Sequence, residues 1–198
     1  MGTPTASSSA RHAQSPRRPV MVAPPKSRWL LSWSIDFSPD KVIAGRYRLI
    51  DKVGEGGMGV VWAAEHQVTH ARVALKVLNA RLGAREDLRR RFLSEARAAA
   101  SVSHPHVIHV SDVFELEDHT PVMVQDLLEG ETLASLLKRE EQLSVERTCA
   151  LLLPIVDAIA AAHATGVVHR DLKPENVFLE QRGEATFPMV LDFGLAKL

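Results

Sequence analysis

Apolar and polar positions alternate from Arg46 onward. Tyr47, Leu49 and, after a break, Val53 fall on one side of an extended chain, which predicts a strand running into Gly54-Glu55-Gly56-Gly57-Met58-Gly59. A second strand is predicted over residues 60 to 66 and, past a turn near Thr69-His70, a third over residues 72 to 78, giving an antiparallel meander. The period then lengthens. Over residues 86 to 102, Leu88, Phe92, Ala96, Ala99 and Ala100 fall on one helical face, with Glu95 on it or beside it. His104-Pro105 closes this helix, because the residue before a proline avoids the helical region. Residues 107 to 116 and 121 to 125 predict two more strands, five in all.

A mainly helical stretch follows over residues 131 to 166, broken near Leu143-Ser144, where Ser144 is placed to cap the longer helix. That helix is apolar nearly all round. A membrane span is disfavoured because Asp157 and His163 interrupt it, and a carboxylate near the bilayer centre costs about 2.5 to 3.5 kcal/mol on insertion scales. The expectation is therefore a helix buried in a soluble protein, with Cys149 buried rather than reactive. Cys149 is the single cysteine, which excludes an internal disulfide. With no secretory signal, it points to a reducing cytoplasm.

Composition alters the picture mainly at the start of the chain. Ser7-Ser8-Ser9, Pro16, Pro19, Pro24-Pro25 and Pro39 cannot supply enough apolar burial to offset chain entropy, so residues 1 to 43 are expected to be a disordered Ser/Pro/Arg-rich tail. Residues 44 to 126 and 127 to 198 then form two lobes. The 24 basic and 24 acidic residues cancel overall, while the basic groups of the first 40 residues are too thinly spread to bind membrane or nucleic acid. Within the tail, Trp29-Leu30-Leu31-Ser32-Trp33 is a sticky island. It reads either as a helical turn that docks on a partner or on the body, or as a vestigial extension.

Four groups carry candidate chemistry. Gly54-x-Gly56-x-x-Gly59 is weak by itself, since the same spacing opens dinucleotide-binding folds. Here Val60-Val61-Trp62 follows the third glycine, so the loop joins two strands and would lie over phosphates as a flap. Lys76 ends Val73-Ala74-Leu75-Lys76 on the neighbouring strand, and Glu95 lies nineteen residues on, where an ion pair would aim the ammonium at phosphate oxygens.

His169-Arg170-Asp171-Leu172-Lys173-Pro174-Glu175-Asn176 holds Asp171 and Asn176 on a short rigid loop. Asp171 can orient an attacking hydroxyl and accept its proton, Lys173 would sit by the transferring phosphoryl, and the Asn176 amide oxygen can ligate a hard cation. Asp192 follows the apolar strand Met189-Val190-Leu191 and precedes Phe193-Gly194, which delivers a second cation-binding carboxylate from a strand end. His104, His106 and His109 crowd together, but no cysteine or carboxylate stands at a spacing that would complete a zinc site, and none is expected.

Together these motifs resemble the protein kinase superfamily, specifically the bacterial serine/threonine kinases of eukaryotic type, over roughly residues 44 to 198. The resemblance implies an α+β, two-lobed fold with a five-stranded antiparallel N-lobe sheet and one helix, ATP and Mg2+ as cofactors, and protein Ser/Thr hydroxyls as acceptors. It implies that Val53 to Gly59, Val61, Ala74, Lys76, Glu95 and Phe178 surround the nucleotide, with Gln125 behind it and Asp126 to Leu128 as the hinge. It assigns Asp171 and Lys173 to catalysis and Asn176 and Asp192 to the metal. Nothing after Leu198 matches the family's activation segment, Ala-Pro-Glu anchor and further helices. The expectation from that departure is a gene fragment or truncated product with weak or absent turnover and an exposed apolar face on the helix over residues 144 to 166. The alternative is a non-catalytic nucleotide-binding fragment that docks on another kinase or a regulator.

Overall fold

Strong alternation from Tyr47 to Asp126 produces a curled antiparallel sheet in the computed structural model, which describes residues 37–56, 59–79 and 85–193 of the 198-residue chain. The sheet order is β1-β2-β3-β4-β6-β5, with β1 at Val42–Ile43, β2 at Tyr47–Glu55, β3 at Gly59–His66, β4 at Arg72–Leu78, β5 at Val110–Glu115 and β6 at Pro121–Asp126. Five strands were expected, and β1 is the sixth. Its two residues carry no period that a sequence pattern can register, yet they pair with Tyr47 and Arg48 at the sheet's edge. The break before Val53 is real: the β2–β3 register slips between Leu49 and Asp51 and again between Lys52 and Gly54.

The two ends of the strand order approach one another. Arg46 Nη1 lies 3.1 Å from Asp112 Oδ2 of β5, and the guanidinium carbon sits 5.0 Å from the Phe114 ring centre, which stacks on Tyr47 at 5.9 Å. A core of Tyr47, Leu49, Trp62, Leu75, Val122 and Val124 fills the inside of this curl.

Helix α1, Glu86–Ser101, packs on β5 and β6 with Phe92, Glu95, Ala96 and Ala99 buried. Glu86 and Asp87 favour its first turn by facing the positive end of the helix dipole. Ala100, expected on the buried face, is exposed: it lies about 100° round the helix axis from Ala99 and about 140° from Glu95, beyond the edge of the buried face.

The expected helical stretch after residue 131 is α2 at Leu133–Glu140 and α3 at Val145–Ala164. Thr132 caps α2 by accepting from the Ser135 N–H, and Ser144 caps α3 by accepting from the Arg147 N–H. A small sheet pairs β7 at Gly130–Thr132, just before α2, with β8 at Val177–Arg182 and β9 at Ala185–Val190, which follow the 3₁₀ turn Pro174–Asn176. Leu78, Phe92, Met123, Leu136, Ile155, Val190 and Phe193 join both halves in one core.

Cys149 is exposed, not buried. Helix α3 buries Leu151, Ile155, Ala158 and Ala162, and Cys149 lies on the opposite face beside Val145, Leu152, Leu153 and Val156, which are 74%, 44%, 66% and 63% exposed. A helix apolar on all sides does not announce which face goes inward. No described helix is long and apolar enough to cross a membrane. The tail over residues 1–36 with Trp29 and Trp33, the flap residues Gly57 and Met58, and residues 194–198 lie outside the described residues.

Candidate active site

The sheet register fixes which side chains share a face. Val61 pairs with Lys76, Ala63 with Ala74, Ala74 with Gln125 and Lys76 with Met123. Directly opposed residues project together, so Val61, Ala74, Lys76 and Gln125 line the face turned away from the curled core. Lys76 Nζ donates to Glu95 Oε1 of α1 and to Asp192 Oδ1 after β9, each at 2.6 Å. The Lys76 and Glu95 side chains are 11% and 8% exposed, that of Asp192 41%.

One ammonium therefore serves two carboxylates. Burial pushes Lys76 down, but Asp192 and Glu95 outweigh it and hold the group above the usual lysine range. Glu95 is pushed up by its own burial first; Lys76 opposes this and the nearby Asp192 charge adds to it. Lys76 gains from both carboxylates, and neither carboxylate has the ammonium to itself.

The flap is a hairpin. Glu55 pairs with Val60, and Gly56 and Gly59 exchange backbone bonds at 2.9 and 3.3 Å. This excludes the strand-to-helix turn of a dinucleotide-binding fold. A Cβ on Gly59 would stand 2.1 Å from the Val77 carbonyl oxygen, whereas one on Gly56 would meet nothing within 4 Å. Gly59 is thus required by sheet packing, and Gly56 leaves open space. Val53 is exposed, and Glu55 pairs with Lys52.

In the second half, His169 is buried and its Nε2 donates to the Leu191 carbonyl at 2.8 Å. Asn176 Nδ2 donates to the Asp171 carbonyl oxygen at 2.8 Å and to Asp171 Oδ2 at 3.0 Å. Lys173 Nζ lies 2.9 Å from the same carboxylate. The Lys173 hydrogen bond, with that from Asn176, holds Asp171 below the usual carboxylate range. The Leu191 N–H donates to the Asn176 carbonyl at 2.9 Å, tying this loop to the residue before Asp192.

Arg170 and Asp192 both adopt left-handed φ, 61° and 43°, a conformation that costs side-chain-bearing residues energy and gathers at functional sites. Phe193 is buried against the His169 ring, 4.9 Å between centres. Because Asn176 spends its amide nitrogen on Asp171, its side-chain oxygen is left for another partner. Together with the half-exposed Asp192 carboxylate, this makes an oxygen-only donor set suited to a hard cation.

Asp126 ends β6, opposite Val73, and its N–H donates to the His109 carbonyl at 3.1 Å. Leu128 and Phe178 are half-buried, Phe178 on β8 opposite Thr132 of β7. The histidine cluster does find a carboxylate. Asp157 lies 53 residues beyond His104 in the sequence, and its Oδ2 is 3.1 Å from His104 Nε2. No local spacing rule reaches that far.

Residues 47–198 match the protein kinase domain family. The serine/threonine-protein kinase Pkn1 of Myxococcus xanthus is 40% identical over 158 residues, covering 79% of this chain and 22% of that protein. The serine/threonine-protein kinase PknA of Mycobacterium tuberculosis is 38% identical over 159 residues, covering 78% of this chain and 36% of that one. Among solved structures, the PknI kinase domain of Mycobacterium tuberculosis superposes with a TM-score of 0.68 at 29% identity, over 82% of this chain and 64% of that one. The chain spans about a fifth to two fifths of the length of the curated relatives it matches.

Proposed function

This chain belongs to the protein kinase domain family, and on that premise we propose that it transfers the γ-phosphoryl group of ATP to serine and threonine hydroxyls of proteins in the cytoplasm. The observation that carries the proposal is the Lys76 ammonium held between Glu95 and Asp192, beside a loop on which Asp171, Lys173 and Asn176 are hydrogen-bonded into one unit. Val61, Ala74 and Phe178 enclose the adenine, with Gln125 behind it. The strand end at Asp126 and the Leu128 backbone supply the hinge. The flap from Val53 to Gly59 covers the phosphates, and Lys76, aimed by Glu95, neutralises their oxygens.

Asp171 accepts the proton of the acceptor hydroxyl as its oxygen bonds to the γ-phosphorus and the bond to the bridging β-γ oxygen breaks. Lys173, paired to Asp171, offers positive charge where the transferred group passes. Asn176 and Asp192 are the residues that would hold magnesium, which when bound supplies charge neutralisation across the phosphates.

The test is purified chain with ATP and magnesium. Expected are a rise in melting temperature at millimolar nucleotide, a smaller rise in Lys76→Met, and labelled phosphoserine or phosphothreonine on a generic protein substrate that disappears in Asp171→Asn. An unchanged melting temperature together with no transfer would remove the proposal.

A further inference from the structure

The three histidines after α1 take no part in the chemistry above, and two of them hold their loop against the second half of the protein. His106 Nδ1 donates to the Pro188 carbonyl at 2.7 Å. The Ile108 N–H donates to the Val190 carbonyl at 3.0 Å, and the Val190 N–H to the His106 carbonyl at 2.8 Å, so the loop is sewn to β9 two residues before Asp192. His104 reaches in another direction, to Asp157 of α3, with Nε2 to Oδ2 at 3.1 Å. Its Nδ1 accepts the His106 N–H at 3.2 Å, which places the proton of the neutral ring on Nε2, facing the carboxylate. The His104 side chain is 13% exposed and that of Asp157 is 77% exposed, so the carboxylate comes from the water side to satisfy a sheltered N–H.

We propose that His104 and Asp157 are positioning residues that form a clasp. By holding residues 102 to 109 on α3, the pair fixes together the end of α1, which carries Glu95, and the strand that delivers Asp192, so that both carboxylates reach Lys76 at once. On the buried face of α1, Phe92, Ala96 and Ala99 give apolar, non-directional contacts, and the directional ones are Glu95 to Lys76 and, nearer the N-terminus, Arg89 to Glu115 of β5. A directional bond beyond its C-terminus adds a fixed point at the end of the helix that these contacts leave unheld. The claim of an effect on nucleotide rests on the reading of Lys76 given above; the claim about Lys76 geometry does not.

Two readouts separate these claims in the full chain: the acylation rate of Lys76 relative to exposed Lys138, followed by mass spectrometry, and the Kd for ATP with magnesium. Asp157→Ala and His104→Ala should each raise relative Lys76 acylation about three- to tenfold, and the double variant should add nothing to either single change. Asp157→Asn keeps an acceptor for the Nε2 proton and should stay within about twofold of the parent. His104→Gln, which retains one donor and one acceptor, should fall between these limits. The Kd should weaken in the same order while melting temperatures stay level. An Asp157→Ala chain with unchanged Lys76 acylation, or additive effects of the two alanines, overturns the clasp. A parent chain that binds no nucleotide sinks the reading of Lys76 as a phosphate ligand, and the acylation result still decides the clasp.

Discussion

At the residue scale, two glycines of one motif are glycine for different reasons. Gly59 has the Val77 carbonyl against it, and Gly56 faces open space. Gly59→Ala should lower the melting temperature by forcing β3 from β4, an overpacking effect of about 1 to 3 kcal/mol. Gly56→Ala should leave the melting temperature unchanged, since nothing stands within 4 Å of the added carbon, and on the proposed function it should weaken ATP binding. Calorimetric melting with and without nucleotide distinguishes the two. Asp171 supplies a pH prediction. Its carboxyl is depressed first by Lys173, so it stays ionised as pH falls through the ordinary carboxylate range and protonates only below it. In Lys173→Ala the Asp171 titration, followed by carbon NMR of the carboxyl, should move upward toward the ordinary value. The loop of the candidate site was legible because Asp171, Lys173 and Asn176 are neighbours in the chain, whereas the Lys76–Asp192 bond joins residues 116 apart and was not. Asp157 was not legible as a partner of His104, because the two meet only through the packing of α3.

At the element scale, caps and alternation carried most of the information. The third strand matches Arg72–Leu78 without adjustment, and Ser144 accepts the Arg147 N–H as a cap should. Ser144→Ala should destabilise the chain by about 0.5 to 2 kcal/mol, read as a shifted urea midpoint at constant slope, with Ser144→Asp restoring it. Of the elements the sequence hid, β8 has six residues, while β1 and β7 have too few to show a period. The two-residue β1 and the three-residue β7 exist because neighbouring strands offer them partners. Helix α3 misled for the opposite reason. Its apolar residues occupy every face, so Cys149 matched a buried pattern while pointing outward.

At the scale of the whole molecule, Val145, Leu152, Leu153 and Val156 leave a wet apolar stripe along α3. Val156→Lys with Leu153→Lys should reduce binding of a hydrophobic dye and concentration-dependent association, both measurable by fluorescence and sedimentation, while the melting temperature holds. Beside the shared core, one ammonium bonds carboxylates from both halves. Lys76 bonds a carboxylate from each half, so on the proposed function a triphosphate would compete with Asp192 for the ammonium. Since the Asp192 side chain is 41% exposed while that of Glu95 is sheltered, added electrolyte should loosen the bond to Asp192 before the bond to Glu95.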